Sequence, residues 1–182
     1  NVINSLKVAS ESLIDKKCTT FSLLFIGKKS YLAGANSLIK VFDRVKLIRP
    51  GVKLDIIGID QGDLEFVPEG VKCYGYLDKS NEQDCEVYYK LLSEASIFIN
   101  STPKWGAFSA SLEAMYFYTP VIVSRYDEFV RTFGNDINFG MYADEDSLLH
   151  SICSILNDSD YRSLCINAHN AAKLHTWDRY TK

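Results

Sequence analysis

One strand–loop–helix–strand segment holds the residues whose types and spacing could most directly bind a charged ligand. An apolar run at 96–100 predicts a buried strand, and Pro120-Val121-Ile122-Val123 predicts the next strand. Between them lie a loop that contains Gly106 and a helix predicted near 107–117. In such a connection the unpaired N–H groups of the helix's first turn point out of the carboxyl edge of the sheet, where phosphates bind. The segment therefore predicts a phosphate site.

Four residues of this segment are candidates for contact with a nucleotide. Gly106 has no side chain to block a phosphate, and the backbone around Ser109 and Ala110 supplies N–H donors. Glu113 lies about one turn into the helix, where the macrodipole favours an acid. Its carboxylate could accept hydrogen bonds from both vicinal hydroxyls of a ribose. The alternatives are an ordinary loop glycine and a glutamate on a helix surface.

The other elements that would position these residues alternate between strand-like and helix-like patterns. This alternation is typical of a parallel sheet with helices on both faces. Strands are predicted at 21–26, 53–57, 71–76, 96–100 and 120–124, and helices at 2–16, 36–48, 86–95 and 107–117. Further helices are expected to begin at Tyr126, after Asp144 or Asp146, and after Asp158. We expect an α/β, Rossmann-like, doubly wound parallel sheet of about six strands.

Composition narrows the class of protein. A length of 182 residues fits one domain, and contents of 47% hydrophobic and 24% charged residues are ordinary for a globular protein. No apolar run approaches the length of a membrane span, and no signal peptide opens the chain, so we expect a cytoplasmic protein. The five cysteines lack Cys-x-x-Cys spacing and make no ligand pattern with the three histidines, so we expect reduced thiols and no metal.

The charges are unevenly distributed along the chain. Residues 1–53 carry ten Lys or Arg against three acids, although the whole chain has a net charge of −3. This basic part could face the phosphates of a donor or make a peripheral contact with an anionic membrane, or it could be the solvated faces of helices. Nucleic acid is not an expected partner, because no basic run is interleaved with aromatic residues.

The segment around Glu113 resembles the donor-binding, carboxyl-terminal half of the group 1 retaining glycosyltransferases of GT-B architecture. In that family it usually reads Glu-Gly-Phe-Gly, four further residues, Glu-Ala-Met and a Gly-x-Pro-Val-Ile ending. The matching positions are Gly106, Leu112, Glu113, Ala114, Met115, Pro120, Val121 and Ile122. Stretches at 25–42, 52–58 and 71–77 look like the family's first three strands and first helix, and 175–178 looks like its closing motif.

The resemblance implies the organisation of the protein. Residues 1–182 would form a single carboxyl-terminal nucleotide-sugar-binding domain, with 1–18 as a connector helix. The chain begins with Asn1 and not with Met, so we expect it to be a piece of a longer protein. The amino-terminal, acceptor-binding domain would lie outside this chain.

The resemblance also assigns roles to individual residues. Glu113 would bind the ribose, and the backbone near Tyr76 and Leu77 would flank the base. Lys28 stands where the family usually has an arginine, and would neutralise the leaving diphosphate. Lys79 could contact the donor or be a solvated loop residue.

Three positions depart from the family pattern. Ala33 replaces the family's second cation, and Tyr118 replaces a glycine two residues before Pro120. Trp105 replaces a glutamate that contacts the donor sugar, and its indole could stack on a hexose or simply pack on the sheet edge.

The implied activity is transfer of a hexose from a UDP or GDP sugar to a glycan or lipid-linked acceptor, as in polysaccharide biosynthesis, without a cofactor. A second reading, supported by the three departures, is a non-catalytic glycosyltransferase-like module that stabilises or activates a partner enzyme. A third is an unrelated doubly wound domain. The missing Gly-x-Gly-x-x-Gly after Ile26 argues against a dinucleotide binder, and the missing paired aspartates argue against a receiver domain.

Overall fold

A parallel sheet forms the centre of the computed structural model, which describes residues 3, 5, 7–102 and 108–176. In these residues the sheet has six strands in the order β3-β2-β1-β4-β5-β6. Its strands are β1 (Ser22–Ile26), β2 (Lys53–Ile57), β3 (Val71–Cys73), β4 (Ala95–Asn100), β5 (Val121–Val123) and β6 (Gly140–Tyr142). The strand order reverses between β1 and β4, which is where α/β sheets open a ligand crevice at their carboxyl edge. The predicted Rossmann-like fold is confirmed.

Seven α-helices cover the sheet within the described ranges. They are α1 (Leu13–Thr20), α2 (Leu32–Ile48), α3 (Glu82–Glu94), α4 (Ser109–Tyr116), α5 (Asp127–Phe133), α6 (Leu148–Leu156) and α7 (Tyr161–Ala172). Short 3₁₀ turns lie at Lys29–Tyr31, Gln61–Asp63 and Lys173–His175. Local capping explains the earlier start of α3, because the side chain of Asn81 accepts a hydrogen bond from the backbone N–H of Asp84 at 3.1 Å.

Several predicted boundaries were wrong. The helix predicted over 2–16 lies at Leu13–Thr20, and residues 7–12 before it are not helical. Helix α2 begins at Leu32, directly after a 3₁₀ turn, and not at residue 36. Strand β3 ends at Cys73, because Gly75 takes a positive φ of 62° that ends the extended backbone.

The sixth strand had not been located from the sequence. Its three residues, Gly140-Met141-Tyr142, show no apolar run and no alternation that would identify a strand. It forms because β5 offers a free edge, and the two strands pair in parallel from Val121 opposite Gly140 to Val123 opposite Tyr142. A Cβ at Gly140 would lie 2.0 Å from the carbonyl oxygen of Val121, so only glycine permits this approach.

The sheet carries a hydrophobic core on each face. Leu24 of β1 and Phe98 of β4 point to one face, which is covered by apolar side chains of α3, α4 and α7. Leu23 of β1 and Ile97 of β4 point to the other, which is covered by α2 and α6. Because both faces of the central strands are buried, their sequences are continuous apolar runs and not alternating ones.

A buried lysine of α1 forms hydrogen bonds at the C-terminal end of α3. Lys17 has no exposed surface, and its Nζ donates to the carbonyl oxygens of Leu92 and Ala95 at 2.8 and 2.9 Å. It also donates to the hydroxyl of Thr119 at 2.9 Å. Burial lowers the pKa of Lys17 to about 7. The three acceptors match the three donors of an ammonium group, so the charged form is held without an unpaired N–H.

Candidate functional site

The switch between β1 and β4 opens a cleft of about 460 Å³ at the carboxyl edge of the sheet, called here the switch-point cleft. It is bordered by the ends of β1, β2 and β4, the loop after β3 and the first turn of α4. Five residues that had been predicted to contact a nucleotide line it: Lys28, Tyr76, Leu77, Ser109 and Ala110. Residues from three distant parts of the sequence are thus brought to one place.

Gly27 after β1 and Gly58 after β2 let the ends of these two strands come close together at the cleft. Gly58 follows β2 with φ of 86°, and a Cβ there would lie 2.2 Å from the carbonyl oxygen of Gly27. The N–H of Gly58 donates to the carbonyl of Gly75 at 2.6 Å. Both the positive φ and the close approach require glycine at position 58.

Lys28 and Lys29 both follow β1, but only Lys28 lines the switch-point cleft. Lys28 lines the switch-point cleft and is exposed. Lys29 forms an ion pair with Asp63 at 2.8 Å, and it does not line the cleft. Of these two neighbouring lysines, Lys28 is therefore the one in a position to meet an anion in the cleft.

Glu113 lies behind the cleft wall and is buried, with 5% of its surface exposed. The Nζ of Lys79 donates to both of its carboxylate oxygens, at 2.9 Å to Oε1 and 2.7 Å to Oε2. The hydroxyl of Tyr88 donates to Oε2 at 2.7 Å, and that of Tyr89 donates to Oε1 at 3.1 Å. The carboxylate predicted to receive ribose hydroxyls is thus already the centre of an internal hydrogen-bond cluster. We call Glu113, Lys79, Tyr88 and Tyr89 the Glu113 cluster.

Lys79 and Tyr88 form the part of the Glu113 cluster that faces the cleft, and both line it. The Lys79 ammonium lies 4.1 Å from the centroid of the Tyr88 ring, and 29% of the Lys79 side chain is exposed. Burial and the neighbouring carboxylate raise the pKa of Tyr88 well above its usual value, so its hydroxyl stays a donor at neutral pH. Lys79 is paired and mostly buried, so the alternative of a solvated loop lysine is wrong, and its contact with the donor stays a prediction.

The first turn of α4 lines the cleft. Phe108 precedes the helix and is buried, and its ring packs against Phe129 and Phe133 at centroid distances of 5.3 and 5.9 Å. This aromatic contact anchors the start of the helix, so Ser109 and Ala110 lie at the cleft surface. The other two predicted residues of this loop, Trp105 and Gly106, lie outside the described residues, and their roles stay predictions.

A second cleft of about 510 Å³ lies at the same sheet edge, toward β5 and β6. Ala33, the residue that replaces the family's second cation, lines this cleft beside Gly34, Arg125 and Glu145. A Cβ at Gly34 would lie 2.3 Å from Oγ1 of Thr102, so α2 packs directly on the chain that leaves β4.

Over residues 3, 5, 7–102 and 108–176, no three His, Cys, Asp or Glu side chains come together in a way that could hold a metal ion. Among the helices of those residues, none is long and apolar enough to cross a membrane.

Comparison with known proteins identifies the family. The family model of the group 1 glycosyl transferases matches residues 20–158, a range that includes all six strands of the described sheet. A search of curated protein sequences finds no match.

Solved structures share the fold at low sequence identity. The C-terminal domain of the group 1 glycosyl transferase LpcC from Francisella tularensis has a TM-score of 0.71 and 15% identity, with 95% of this chain and 97% of that one covered. Sucrose-phosphate synthase from Thermosynechococcus elongatus has a TM-score of 0.69 and 19% identity over 94% of this chain and 46% of that one. The pneumococcal O-GlcNAc transferase GtfA, solved with UDP and GlcNAc, has a TM-score of 0.66 and 15% identity over 97% and 36%.

This chain spans less than half the length of the last two proteins, but it matches the isolated LpcC domain almost completely. The family match covers most of the chain, and the sheet order and the switch-point cleft are consistent with it. The chain belongs to the group 1 glycosyltransferases and has the fold of one half of a GT-B enzyme.

Proposed function

We propose that this chain is the carboxyl-terminal, nucleotide-sugar-binding domain of a retaining glycosyltransferase. The whole protein would transfer a hexose from a UDP or GDP sugar to a glycan or lipid-linked acceptor. The acceptor would be bound by a second, amino-terminal half, and residues 1–18, with α1 at their end, would lead from that half into this domain. We place the protein in the cytoplasm, with peripheral contact to a membrane that carries the acceptor.

The observation that carries this proposal is the switch-point cleft. Its lining combines a cation at Lys28, residues of the first turn of α4, and Lys79 and Tyr88, which hold the Glu113 carboxylate behind the cleft wall. A nucleoside diphosphate offers the complementary groups, namely two phosphates for the cation and the N–H donors, and a ribose for the carboxylate. The pneumococcal enzyme named above was solved with UDP and GlcNAc, which supports a nucleotide sugar as the donor.

The chemistry assigned to this domain is electrostatic. As the bond between the donor sugar and the diphosphate breaks, negative charge develops on the diphosphate. Lys28 and the α4 N–H groups would stabilise that charge, and no metal is needed for this role. The loop at Tyr76 and Leu77 would hold the base against the opposite wall of the cleft. Trp105 and Gly106 would complete the sugar and phosphate contacts.

Isothermal titration of this chain with UDP, GDP and ADP tests the proposal. We expect weak binding of at least one nucleotide and no transfer activity from this domain alone, since the acceptor half is missing. Glu113→Ala should abolish the binding signal, whereas Asp63→Ala, which breaks the Lys29 ion pair outside the cleft, should leave it unchanged. Circular dichroism verifies that both variants are folded. No heat signal with any of the three nucleotides from folded protein would refute the proposal.

A non-catalytic role is the second candidate, and two observations favour it. The Glu113 carboxylate is fully engaged within the protein, and Ala33 brings no charge to the sheet edge. In this case the protein would stabilise or activate a partner glycosyltransferase. The two roles can be distinguished by purifying the protein with its amino-terminal half present, recording any partner that co-purifies, and assaying the product with nucleotide sugars. Consumption of donor by the protein alone supports the enzyme, and consumption only with a bound partner supports the module.

A further inference from the structure

We infer that Lys79 is a donor-site residue that changes partner. In the free protein it holds the Glu113 carboxylate, and on entry of a nucleoside diphosphate it passes to the diphosphate while the ribose hydroxyls take its place on Glu113. This inference rests on the proposed function and names a second phosphate-binding cation for the same cleft.

The first step concerns the capacity of Glu113. A carboxylate has about four acceptor positions. The two hydrogen bonds from Lys79 and one each from Tyr88 and Tyr89 occupy four such positions at 2.7 to 3.1 Å. A ribose can therefore reach Glu113 only by replacing one of these donors.

The second step identifies the donor that can leave. Tyr88 and Tyr89 are 6% and 2% exposed, lie on α3 and pack edge to face with ring centroids 5.4 Å apart. Tyr89 is held further by the ring of Phe117 at 5.6 Å. Lys79 lies on the loop between β3 and α3, and 29% of its side chain is exposed. Lys79 therefore costs the least packing to displace.

The third step concerns the new partner of Lys79. An ammonium group in a partly buried position needs a counter-charge once its carboxylate is taken. Lys79 and Lys28 line the same cleft, so a diphosphate bound at Lys28 brings that counter-charge next to Lys79. After the exchange both groups still have partners, because the ribose hydroxyls donate hydrogen bonds to the Glu113 carboxylate and the phosphates pair with the Lys79 ammonium.

Three variants separate this exchange from a static ion pair. Lys79→Met keeps the length and the apolar stem of the side chain but removes the ammonium that lies over Tyr88, and it leaves Glu113 held by the two tyrosines. Lys79→Arg keeps the charge. Lys29→Met is the matched control, since Lys29 also pairs with a carboxylate but lies outside the cleft.

The experiment is an NMR titration of each variant with UDP, GDP and ADP and with uridine, guanosine and adenosine. Lys79→Met should weaken diphosphate binding by about tenfold, because the diphosphate uses the ammonium. It should bind the nucleoside at least as tightly as wild type, because the ribose no longer has to displace Lys79 from Glu113. Lys79→Arg should restore most of the affinity, and Lys29→Met should match the wild type.

Two outcomes of the titration would overturn the inference while leaving the proposed function intact. In the first, Lys79→Met binds the diphosphate as tightly as wild type or more tightly. In the second, Lys79→Met loses affinity for the diphosphate and for the nucleoside by the same factor. Failure of wild type to bind any of the three diphosphates refutes the proposed function, and this inference with it. A crystal structure of the UDP, GDP or ADP complex gives an independent readout: Lys79 Nζ should lie within hydrogen-bond distance of a phosphate oxygen, and Nζ still on Glu113 would overturn the exchange.

Discussion

At the scale of single residues, the departure at Tyr118 has a structural explanation. Tyr118 has φ of 60°, the left-handed conformation in which glycine is preferred. Its N–H donates to Met115 and that of Thr119 to Ala114, which is the Schellman pattern that ends α4. The Tyr118 ring stacks on His169 at a centroid distance of 3.9 Å and an angle of 4°. This stacking offsets the backbone strain that a non-glycine residue brings.

Tyr118→Ala should destabilise the protein by about 1–2 kcal/mol, because it keeps the left-handed strain and loses the stack. Tyr118→Gly should be more stable than Tyr118→Ala by about 1 kcal/mol, since glycine tolerates this φ. Tyr116 is the control, as it also packs on His169 but ends the helix proper, so glycine should be the worse substitution there by about 1 kcal/mol. Urea unfolding gives the free energy of unfolding of the four variants, with alanine or glycine at position 118 or 116. The same order of glycine and alanine at both positions would contradict the explanation.

His169 predicts how stability depends on pH. It is buried, and its Nδ1 lies 2.6 Å from the carbonyl oxygen of Tyr116. Burial lowers the pKa of His169 below its usual value of 6.5, although this hydrogen bond opposes the shift. Below pH 6.5 the unfolded chain takes up a proton that the folded protein does not, so stability should fall as the pH drops from about 7 to 5.

The pH dependence of the urea midpoint tests this expectation. In His169→Gln the decline below pH 6.5 should become shallower than in wild type. His150→Gln, at an exposed position of α6, should keep the wild-type profile. An unchanged slope in His169→Gln would show that other groups cause the decline.

At the scale of elements, the positions of α1 and α3 depend on the buried cation at Lys17. Two of its acceptors are main-chain carbonyls in and just after the last turn of α3, where the helix macrodipole favours a positive charge. The third, Thr119, joins α4 to β5. One side chain thus connects three elements that cover the same face of the sheet.

Lys17→Met should cost about 2–4 kcal/mol, because it leaves buried carbonyl groups without a donor. The neighbouring Lys16→Met is the control: Lys16 is 52% exposed and pairs with Glu94 on the surface at 2.8 Å, so its loss should change stability by less than about 1 kcal/mol. Chemical denaturation of both variants gives the comparison. Equal costs would mean that the buried contacts contribute little.

At the scale of the whole molecule, the two cores are coupled through the central strands. Adjacent residues of β1 supply them, Leu23 to the face under α2 and α6 and Leu24 to the face under α3, α4 and α7. Neither face can lose its packing without disturbing the strand that supports the other. We therefore expect the described region to unfold as one cooperative unit.

Leu23→Ala and Leu24→Ala should each lower stability by about 2–5 kcal/mol, since both side chains are fully buried. Both variants should still unfold in a single transition when followed by far-UV and near-UV circular dichroism. Leu47→Ala, at a leucine that is 85% exposed on α2, should stay within about 0.5 kcal/mol of wild type. A second transition in either core variant would show that the two faces unfold separately.

The sequence by itself determined the fold class, the approximate positions of five strands and the family. Strands buried on both faces must be continuous apolar runs, and parallel connections place the loops after β1, β3 and β4 at one edge, so Lys28, Tyr76, Leu77, Ser109 and Ala110 could be assigned to one site. Tertiary structure alone decided the partners of Glu113, since Lys79 and Tyr88 are 34 and 25 residues away and meet it only because the loop after β3 and helix α3 lie beside α4. It also decided the three-residue strand β6, which pairing creates, and the backbone conformation of Tyr118, which no side-chain pattern reports.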